Sequence, residues 1–346
     1  MKWHQKKRLK NIFLPAYQSI LESGELDRKI EKAKELLSPC RLCPRTCKAR
    51  RLKGETGFCK APPAPVLAAV LPHFGEEPVL VGDKGCGTLF FSHCNLRCCY
   101  CQNYQISQEG LGETATEDSL AEEMLKLQQK GCHNIAWVSP TPHLPFLLSS
   151  LKLAAQQGLS LPVVYNTHGY ESLEVMELLS GVVDIYLPDM KYGRDSEALT
   201  LSEVSDYVSL NRQAVEAMAL QVGNLTFSEK GWALRGILVR HLVLPGGLSG
   251  TKEVLKFLAG LSPELWISLM AQYQPCHKAR NHPVLNAPLT PEEYTTAIHG
   301  LEVLGFQNYF LQEIEARKQY LPDFAREVPI LFPDTRYSAL PEGEGD

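Results

Sequence analysis

Short apolar runs alternate with longer amphipathic stretches along the chain from about residue 85. The short runs are rich in β-branched and aromatic residues, which favour strands, and the longer ones repeat apolar residues at helical spacing. Strands are predicted at 87–92, 134–139, 161–167, 182–190, 236–244, 265–273 and, more briefly, 308–312. Helices are predicted near 117–130, 144–157, 171–180, 205–221, 251–260 and 291–304. This alternation predicts an α/β fold with a parallel sheet, either open and doubly wound or a full or partial barrel.

Short sequence signals predict where helices begin and end, and what the N-terminal and C-terminal segments form. Ser119 and Glu122 have the spacing of a capping box at the start of the first of these helices. Gly131, Gly158 and Gly223 fall where helices are expected to stop. The charged opening segment is expected to be helical and to cover another surface, and the proline-containing tail is expected to form a loose strap. The predicted divisions are a helical segment at 1–37, a Cys-rich metal-binding segment at 38–62, a core at 63–320 and a tail at 321–346.

Composition narrows the class of protein. With 346 residues, 44% of them hydrophobic, and a net charge of -4, the chain has ample material for a large core. No stretch has the length and apolar character of a signal peptide or a membrane span, so a cytoplasmic protein without membrane contact is predicted. The slightly acidic balance argues against nucleic acid as the main partner, although the basic patch at 48–53 keeps a local case open.

Cysteines are concentrated in the N-terminal third of the chain, where nine of the eleven lie between Cys40 and Cys101. In a reducing compartment such groups usually bind metal instead of forming disulfides. Eight of the nine form two sets, which are Cys40, Cys43, Cys47 and Cys59, and then Cys94, Cys98, Cys99 and Cys101. The ninth, Cys86, lies beside the first predicted strand and is expected to be a packing residue.

The second set contains a C-x3-C-x2-C pattern that is typical of an iron–sulfur ligand loop. Cys94, Cys98 and Cys101 can ligate three irons of a [4Fe–4S] cluster and leave the fourth iron open. Cys99 adjoins Cys98 and is expected to point away from the cluster. A structural zinc site, or a chance group of buried thiols, is the alternative. For the set from Cys40 to Cys59 the sequence allows structural zinc or a second iron–sulfur cluster.

Polar residues follow the predicted strands, and the carboxyl ends of parallel strands converge on one site. Arg240 and His241 are neighbours in a strand, so at most one of them faces that site. The polar residues at successive strand ends are Ser139, Thr141 and His143; Asn166, Thr167 and His168; Asp189 and Lys191; Arg240 and His241; and Gln272 and Tyr273.

The stretch FFSHCNLRCCYCQN, with Tyr100 before the last cysteine of the motif and a predicted strand before it, resembles the radical S-adenosylmethionine (SAM) superfamily. The resemblance implies a partial (β/α)6 TIM-like barrel with an N-terminal helical and Cys-rich extension. It also implies that SAM chelates the open iron through its amino and carboxylate groups. An electron from the reduced cluster then cleaves SAM to methionine and a 5′-deoxyadenosyl radical. A flavodoxin-like or ferredoxin-like protein is the reductant that such chemistry implies.

The stretches YNTHGY, DIYLPDMKY and VRHLVLPGG are similar to strand ends of the pyruvate formate-lyase activating enzymes, and CRLCPRTC resembles an uncharacterised branch related to them. This resemblance implies that Lys191 contacts SAM and that Asp189 contacts a cation or the glycine loop of a partner. Thr167 matches a cation-site residue, whereas Asn166 replaces an aspartate of those activators. The predicted catalytic residues are Cys94, Cys98, Cys101, Asp189 and Lys191, and the predicted cofactor contacts are Tyr100, Thr141, Asn166, Thr167, Lys191 and Arg240.

Two departures from those relatives stand out. The Gly-Gly-Glu-like stretch that often holds the methionine amino group is replaced by residues 139–143, Ser-Pro-Thr-Pro-His, and the extra cysteines precede the motif instead of following it. The leading hypothesis is a radical SAM enzyme that activates a protein partner such as a glycyl radical enzyme. The alternatives are radical modification of a small molecule or RNA, and a metal-binding scaffold without catalysis.

Overall fold

One eleven-stranded sheet organises the chain. The computed structural model describes residues 13–315, 321–326, 329–330 and 337–338. The strands are β1 Val66–His73, β2 Cys86–Phe91, β3 Glu113–Thr114, β4 Ile135–Val138, β5 Val163–Thr167, β6 Ile185–Pro188, β7 Thr226–Phe227, β8 Ala233–Leu242, β9 Trp266–Met270, β10 Tyr309–Gln312 and β11 Tyr337–Ser338. The helices are α1 Ala16–Glu22, α2 Glu25–Leu37, α3 Pro78–Val81, α4 Tyr104–Ser107, α5 Glu117–Gln129, α6 Leu144–Gln156, α7 Leu173–Leu179, α8 Asp195–Ser202, α9 Tyr207–Val222, α10 Thr251–Leu261 and α11 Pro291–Val303.

The sheet runs in the order β3-β1-β2-β4-β5-β6-β8-β9-β10-β11, with β7 paired to β8. From β2 to β10 every neighbouring pair on this path is parallel, whereas β1, β3, β7 and β11 are antiparallel additions. The two outer strands do not pair with each other within the described residues, so the barrel is partial. The predicted α/β partial barrel is confirmed, and each of the predicted strands and helices has a counterpart.

Strand β1 was missed by the sequence reading. It pairs antiparallel with β2, with Leu71 opposite Thr88. Only the four-residue helix α3 lies between the two strands, so no strand–helix alternation of the usual length announces them. The turn that follows β1 leads into the short helix α3. This turn matters because it carries two glutamates towards the carboxyl ends of the parallel strands.

The opening helices cover the barrel and share its core. Tyr17 and Leu26 are fully buried in the main apolar cluster, and the Tyr17 hydroxyl donates to the Leu161 carbonyl at 3.0 Å. The Asp184 carboxylate accepts the Ala16 N–H at 2.8 Å and the Val163 N–H at 3.1 Å. The helical prediction therefore holds for Ala16–Glu22 and Glu25–Leu37, and residues 1–12 lie outside the described part of the chain.

The start of α5 differs from the prediction. Thr116 is the N-cap, since its Oγ1 accepts the Ser119 N–H at 3.1 Å while Ser119 Oγ accepts the Thr116 N–H at 2.9 Å. The predicted Ser119–Glu122 capping box is wrong because the helix already begins at Glu117. The expected stops hold: Gly131 and Gly158 lie just beyond helix ends, and Gly223 caps α9.

The tail is packed where the structure describes it next to the barrel. Phe324 is buried against Phe90, with ring centroids 5.5 Å apart. Gln105 in α4 donates to Asp323 Oδ1 at 3.0 Å and accepts the Phe324 N–H at 2.8 Å. The expectation of a loose strap is thus corrected for residues 321–326. Among the described residues, no helix has the length and apolar character that crossing a membrane requires.

Candidate functional site

A cavity of about 230 Å³ opens at the carboxyl ends of the parallel strands. It is where the β/α architecture brings successive strand ends together. Among the sequence-predicted residues, its lining includes Cys94, Cys98, Tyr100, Cys101, Asn166, Thr167, Asp189, Lys191 and Arg240. The structure thus brings all the predicted catalytic and cofactor residues together except Thr141.

The cysteine loop after β2 presents three of its four thiols to the cavity. Ser202 Oγ donates to Cys98 Sγ at 2.9 Å, Ser107 Oγ lies 3.2 Å from Cys101 Sγ, and a backbone N–H donates to Cys94 Sγ at 3.4 Å. Such contacts suit thiolates, because hydrogen bonds to the sulfurs stabilise their negative charge. The three cysteines therefore fit the ligand set of an iron–sulfur cluster.

Burial makes Cys94 and Cys101 poor thiolates on their own. The pKa of Cys94 is raised well above its ordinary value by burial and by Cys98, and burial raises the pKa of Cys101 to about 11. Iron binds the thiolate, so loading the site displaces protons from the cysteines and becomes easier as pH rises.

Asp189 and Lys191 follow β6 and form an ion pair at the cavity wall, with Nζ 2.7 Å from Oδ2. Burial by itself would lower the pKa of Lys191. The Asp189 carboxylate and the neighbouring Cys98 outweigh it and raise the pKa above its ordinary value. The ammonium therefore keeps its charge beside the cysteine loop.

Arg240 is held by the two glutamates that follow β1. Its Nε and Nη2 donate to Glu77 Oε1 and Oε2 at 2.8 and 2.7 Å, and Nη2 also pairs with Glu76. Asn166 Nδ2 donates to Glu76 Oε1 at 3.3 Å, and Glu76 lines the cavity. Sequence reasoning missed Glu76 and Glu77. The only signal was an acidic pair separated by four residues from the unassigned apolar run at 66–71.

Thr141 lies behind the cavity. Its hydroxyl donates to Glu171 Oε1 at 2.6 Å, and the Thr167 hydroxyl donates to the same oxygen at 2.5 Å. Glu171 is buried, and this desolvation raises the pKa of its carboxyl to about 7. Thr141 therefore supports a residue of the cavity wall and itself lines a second, smaller cavity.

Of the three histidines at the predicted strand ends, one lines the cavity and two are packed in the interior. His168 lines the cavity and hydrogen-bonds Asn95 Oδ1 through Nε2 at 2.6 Å. His143 is fully buried with Nε2 2.7 Å from the Ser92 carbonyl. His241 is buried against Met190 and Thr251, on the opposite side of β8 from Arg240, as strand alternation predicts.

The first cysteine set surrounds the second cavity. Cys40, Cys43, Cys47 and Cys59 line it together with Arg45, Arg51, Asn95 and Thr141. Within the described residues, no three Cys, His, Asp or Glu side chains converge on one point as a single metal ion requires. A cluster sets other distances, because each thiolate binds a different iron. The zinc and cluster alternatives for this set remain predictions at this point.

A partial β/α barrel with three thiols of a C-x3-C-x2-C loop at the carboxyl ends of its strands defines an iron–sulfur enzyme. A family model for the radical SAM superfamily matches residues 88–218. An uncharacterized protein of Methanocaldococcus jannaschii is 33% identical over 282 residues, covering 79% of this chain and 77% of the relative. A second uncharacterized protein of that organism is 24% identical over 279 residues, covering 73% and 74%. This chain belongs to the radical SAM superfamily.

Solved structures with a similar arrangement include a radical SAM methyltransferase from Sphaerobacter thermophilus, with a TM-score of 0.44 and 12% identity, covering 66% of this chain and 68% of that one. Another is anSMEcpe with bound AdoMet and a Cp18Cys peptide, with a TM-score of 0.44 and 13% identity, covering 62% and 60%.

Membership of the family implies a [4Fe–4S] cluster and SAM as cofactors. The cluster, when bound and reduced, supplies the electron that cleaves SAM. In this chain Cys94, Cys98 and Cys101 would hold it. Lys191 keeps a positive charge in the same wall, where it suits the SAM carboxylate.

Proposed function

We propose that this radical SAM enzyme directs its radical to a protein partner, and that a glycyl radical enzyme is the leading class of partner. The supporting observation is the small size of the cavity. Pockets for drug-sized ligands span roughly 300–1,000 Å³, whereas this cavity measures about 230 Å³ and has to accept SAM as well. A substrate group presented from outside, such as a projecting backbone segment, needs the least additional room.

The residues of the chain have separate tasks in this proposal. Lys191, paired with Asp189, orients the charged methionine end of SAM, and the carboxylate of Glu76 is available to its ammonium. Phe90 and Val138 keep water from the reacting carbon, because they form apolar parts of the same lining.

The partner is proposed to approach beside the tail. Pro322 and Ile330 line the cavity, and Gln105 anchors residues 321–326 through Asp323. In this proposal a partner loop meets residues 321–326 first as it enters the cavity. The reductant is proposed to be a flavodoxin-like or ferredoxin-like protein, and the cytoplasmic location remains a prediction.

The test uses protein purified without oxygen, SAM and dithionite. Glycyl radical enzymes from the same genome are expressed with deuterated glycine and added one at a time. The proposal expects 5′-deoxyadenosine that carries one deuterium, together with a glycyl radical signal in electron paramagnetic resonance (EPR) spectra of the partner. Unlabelled nucleoside with every such partner contradicts the glycyl radical assignment but leaves SAM cleavage intact. Absence of nucleoside contradicts catalysis itself.

Radical modification of RNA is the second candidate, and the exposed basic side chains of Lys48, Arg50 and Lys53 favour it. The positive charge that this patch can offer to RNA is smaller than its sequence suggests, because Arg51 is buried and Arg50 pairs with Glu55. RNA binding that weakens steeply between 50 and 200 mM salt, and that is lost in the Lys48→Glu/Lys53→Glu variant, would support this candidate.

A further inference from the structure

The second cavity, which is lined by Cys40, Cys43, Cys47 and Cys59 and is called the four-cysteine cavity below, has no part in the function proposed above. We propose that Cys40, Cys43, Cys47 and Cys59 hold a second iron–sulfur cluster and that Arg51 is its buried counter-charge. The inference concerns a site separate from the SAM cavity and does not depend on the identity of the partner.

The backbone of the Cys-rich segment is folded to bring these thiols together. The Cys40 N–H donates to the Ala49 carbonyl at 2.9 Å, and the Lys48 N–H donates back to the Cys40 carbonyl at 3.0 Å. This pairing sets Cys40 beside the loop that carries Cys47. On the other side, a Cβ at Gly57 would overlap Cys47 Sγ, so the glycine leaves the space that this thiol needs. The loop is therefore shaped around its sulfur atoms.

The arrangement of the thiols favours a cluster over zinc. Structural zinc needs four sulfurs at about 2.3 Å from one centre, and no three side chains of the Cys, His, Asp or Glu types converge in that way in the described chain. The four thiols nevertheless share one cavity wall. A cubane cluster fits such a set because each sulfur binds its own iron and the sulfurs stand farther apart.

Arg51 supplies the charge that an anionic centre requires. It is 1% exposed, and its Nη1 and Nη2 donate to the carbonyls of Pro142 and Pro62, each at 2.6 Å. Its Nε is buried without a hydrogen-bond partner within the described residues. A buried guanidinium is costly unless an anion compensates it, and Arg51 lines the same cavity as the four thiols. Thiolates bound to metal supply that anion.

The second site adjoins the SAM cavity. Asn95 follows Cys94 in the chain and lines the four-cysteine cavity, whereas its hydrogen-bond partner His168 lines the SAM cavity. Arg45 Nε also donates to the Asn95 carbonyl at 2.6 Å. Asn95 and its hydrogen bonds thus separate the two sites. A redox-active centre at the second site would lie close enough to the first to exchange electrons with it, whereas a structural zinc ion would gain nothing from this position.

The first experiment isolates the proposed centre. Cys94, Cys98 and Cys101 are all changed to alanine, and iron, sulfide and zinc are measured per chain after anaerobic purification. About four irons with sulfide, and an EPR signal on reduction, are expected. Zinc without iron, or neither metal, overturns the assignment. Cys99→Ala in the otherwise unchanged chain is the matched control and should keep the full iron content.

The second experiment tests the counter-charge in the same triple variant. A positive charge favours the more negative, reduced state, so Arg51→Gln should shift the reduction equilibrium about tenfold towards the oxidised form, or about 59 mV for one electron. Arg51→Lys should shift it much less. Loss of iron in Arg51→Gln but not in Arg51→Lys also supports the assignment. Equal behaviour of the two variants, whether iron is kept or lost, overturns the role of Arg51.

Discussion

At the scale of single residues, Cys98 and Cys99 are neighbours with different surroundings. Cys98 Sγ lines the SAM cavity and accepts a hydrogen bond from Ser202. Cys99 is absent from that lining, and its backbone is fixed on both sides, with N–H to the Leu201 carbonyl at 2.8 Å and its own carbonyl to Ala279 N–H at 2.9 Å. The fixed backbone separates the two thiols.

This difference predicts the outcome of single substitutions. Cys94→Ala, Cys98→Ala and Cys101→Ala should each lose the iron of the SAM-binding cluster and all 5′-deoxyadenosine formation, because each removes one iron ligand. Cys99→Ala should retain both. Iron and nucleoside are measured side by side on anaerobic protein, and loss of nucleoside in Cys99→Ala would show the ligand assignment to be mistaken.

A second residue-scale prediction concerns pH. Burial raises the pKa of Glu171 to about 7 in the folded chain, against about 4.3 when unfolded. The folded state therefore binds the proton more tightly, and the free energy of unfolding should fall by about 4 kcal/mol as pH rises from about 4 to about 7, and then level off.

Urea unfolding at pH 5 and pH 8 checks this. Glu171→Gln keeps a carbonyl acceptor for Thr141 and Thr167 and removes the titration, so this part of the pH dependence should vanish. Glu174→Gln, at a partly exposed position of α7, is the control and should behave like the unchanged protein. An unaltered pH dependence in Glu171→Gln would contradict the prediction.

At the scale of elements, the Thr116–Ser119 capping box seen at the start of α5 and the Ser119–Glu122 box predicted from the sequence lead to opposite expectations. Thr116→Ala removes the side chain that accepts the Ser119 N–H and should lower the free energy of unfolding by about 1 kcal/mol. Glu122→Ala lies within the helix and should change it by only a few tenths of a kcal/mol. Chemical unfolding of both variants measures the two losses in the free energy of unfolding. A larger loss in Glu122→Ala than in Thr116→Ala would support the Ser119–Glu122 box instead.

The elements themselves were largely predictable because the parallel core repeats one pattern. The runs that became the parallel strands β4, β5, β6, β8 and β9 alternate with helices along the chain, so the repeat of the pattern identifies them. Strand β1 breaks the repeat, as its pairing with β2 is antiparallel and depends on contacts across the sheet. Glu76 and Glu77 were missed with it.

At the scale of the whole molecule, the packed tail forms part of the cavity wall. Phe324→Ala should remove the contact with Phe90, release residues 321–326 and speed tryptic cleavage after Arg326, by several-fold in rate. Leu220→Ala, at an exposed position of α9, is the control and should leave the cleavage rate unchanged. Equal cleavage rates in the two variants would mean that Phe324 does not anchor the tail.

The sequence by itself determined the parallel α/β class, the helix stops and the family, because period, glycine position and cysteine spacing are local properties of the chain. Tertiary structure alone decided which polar residues share a cavity. Thr141 was expected to face SAM and instead supports Thr167 through Glu171. Arg51 appeared as one more surface cation and is buried among four thiols. Burial and long-range hydrogen bonds set these roles, and neither is encoded at a fixed spacing in the sequence.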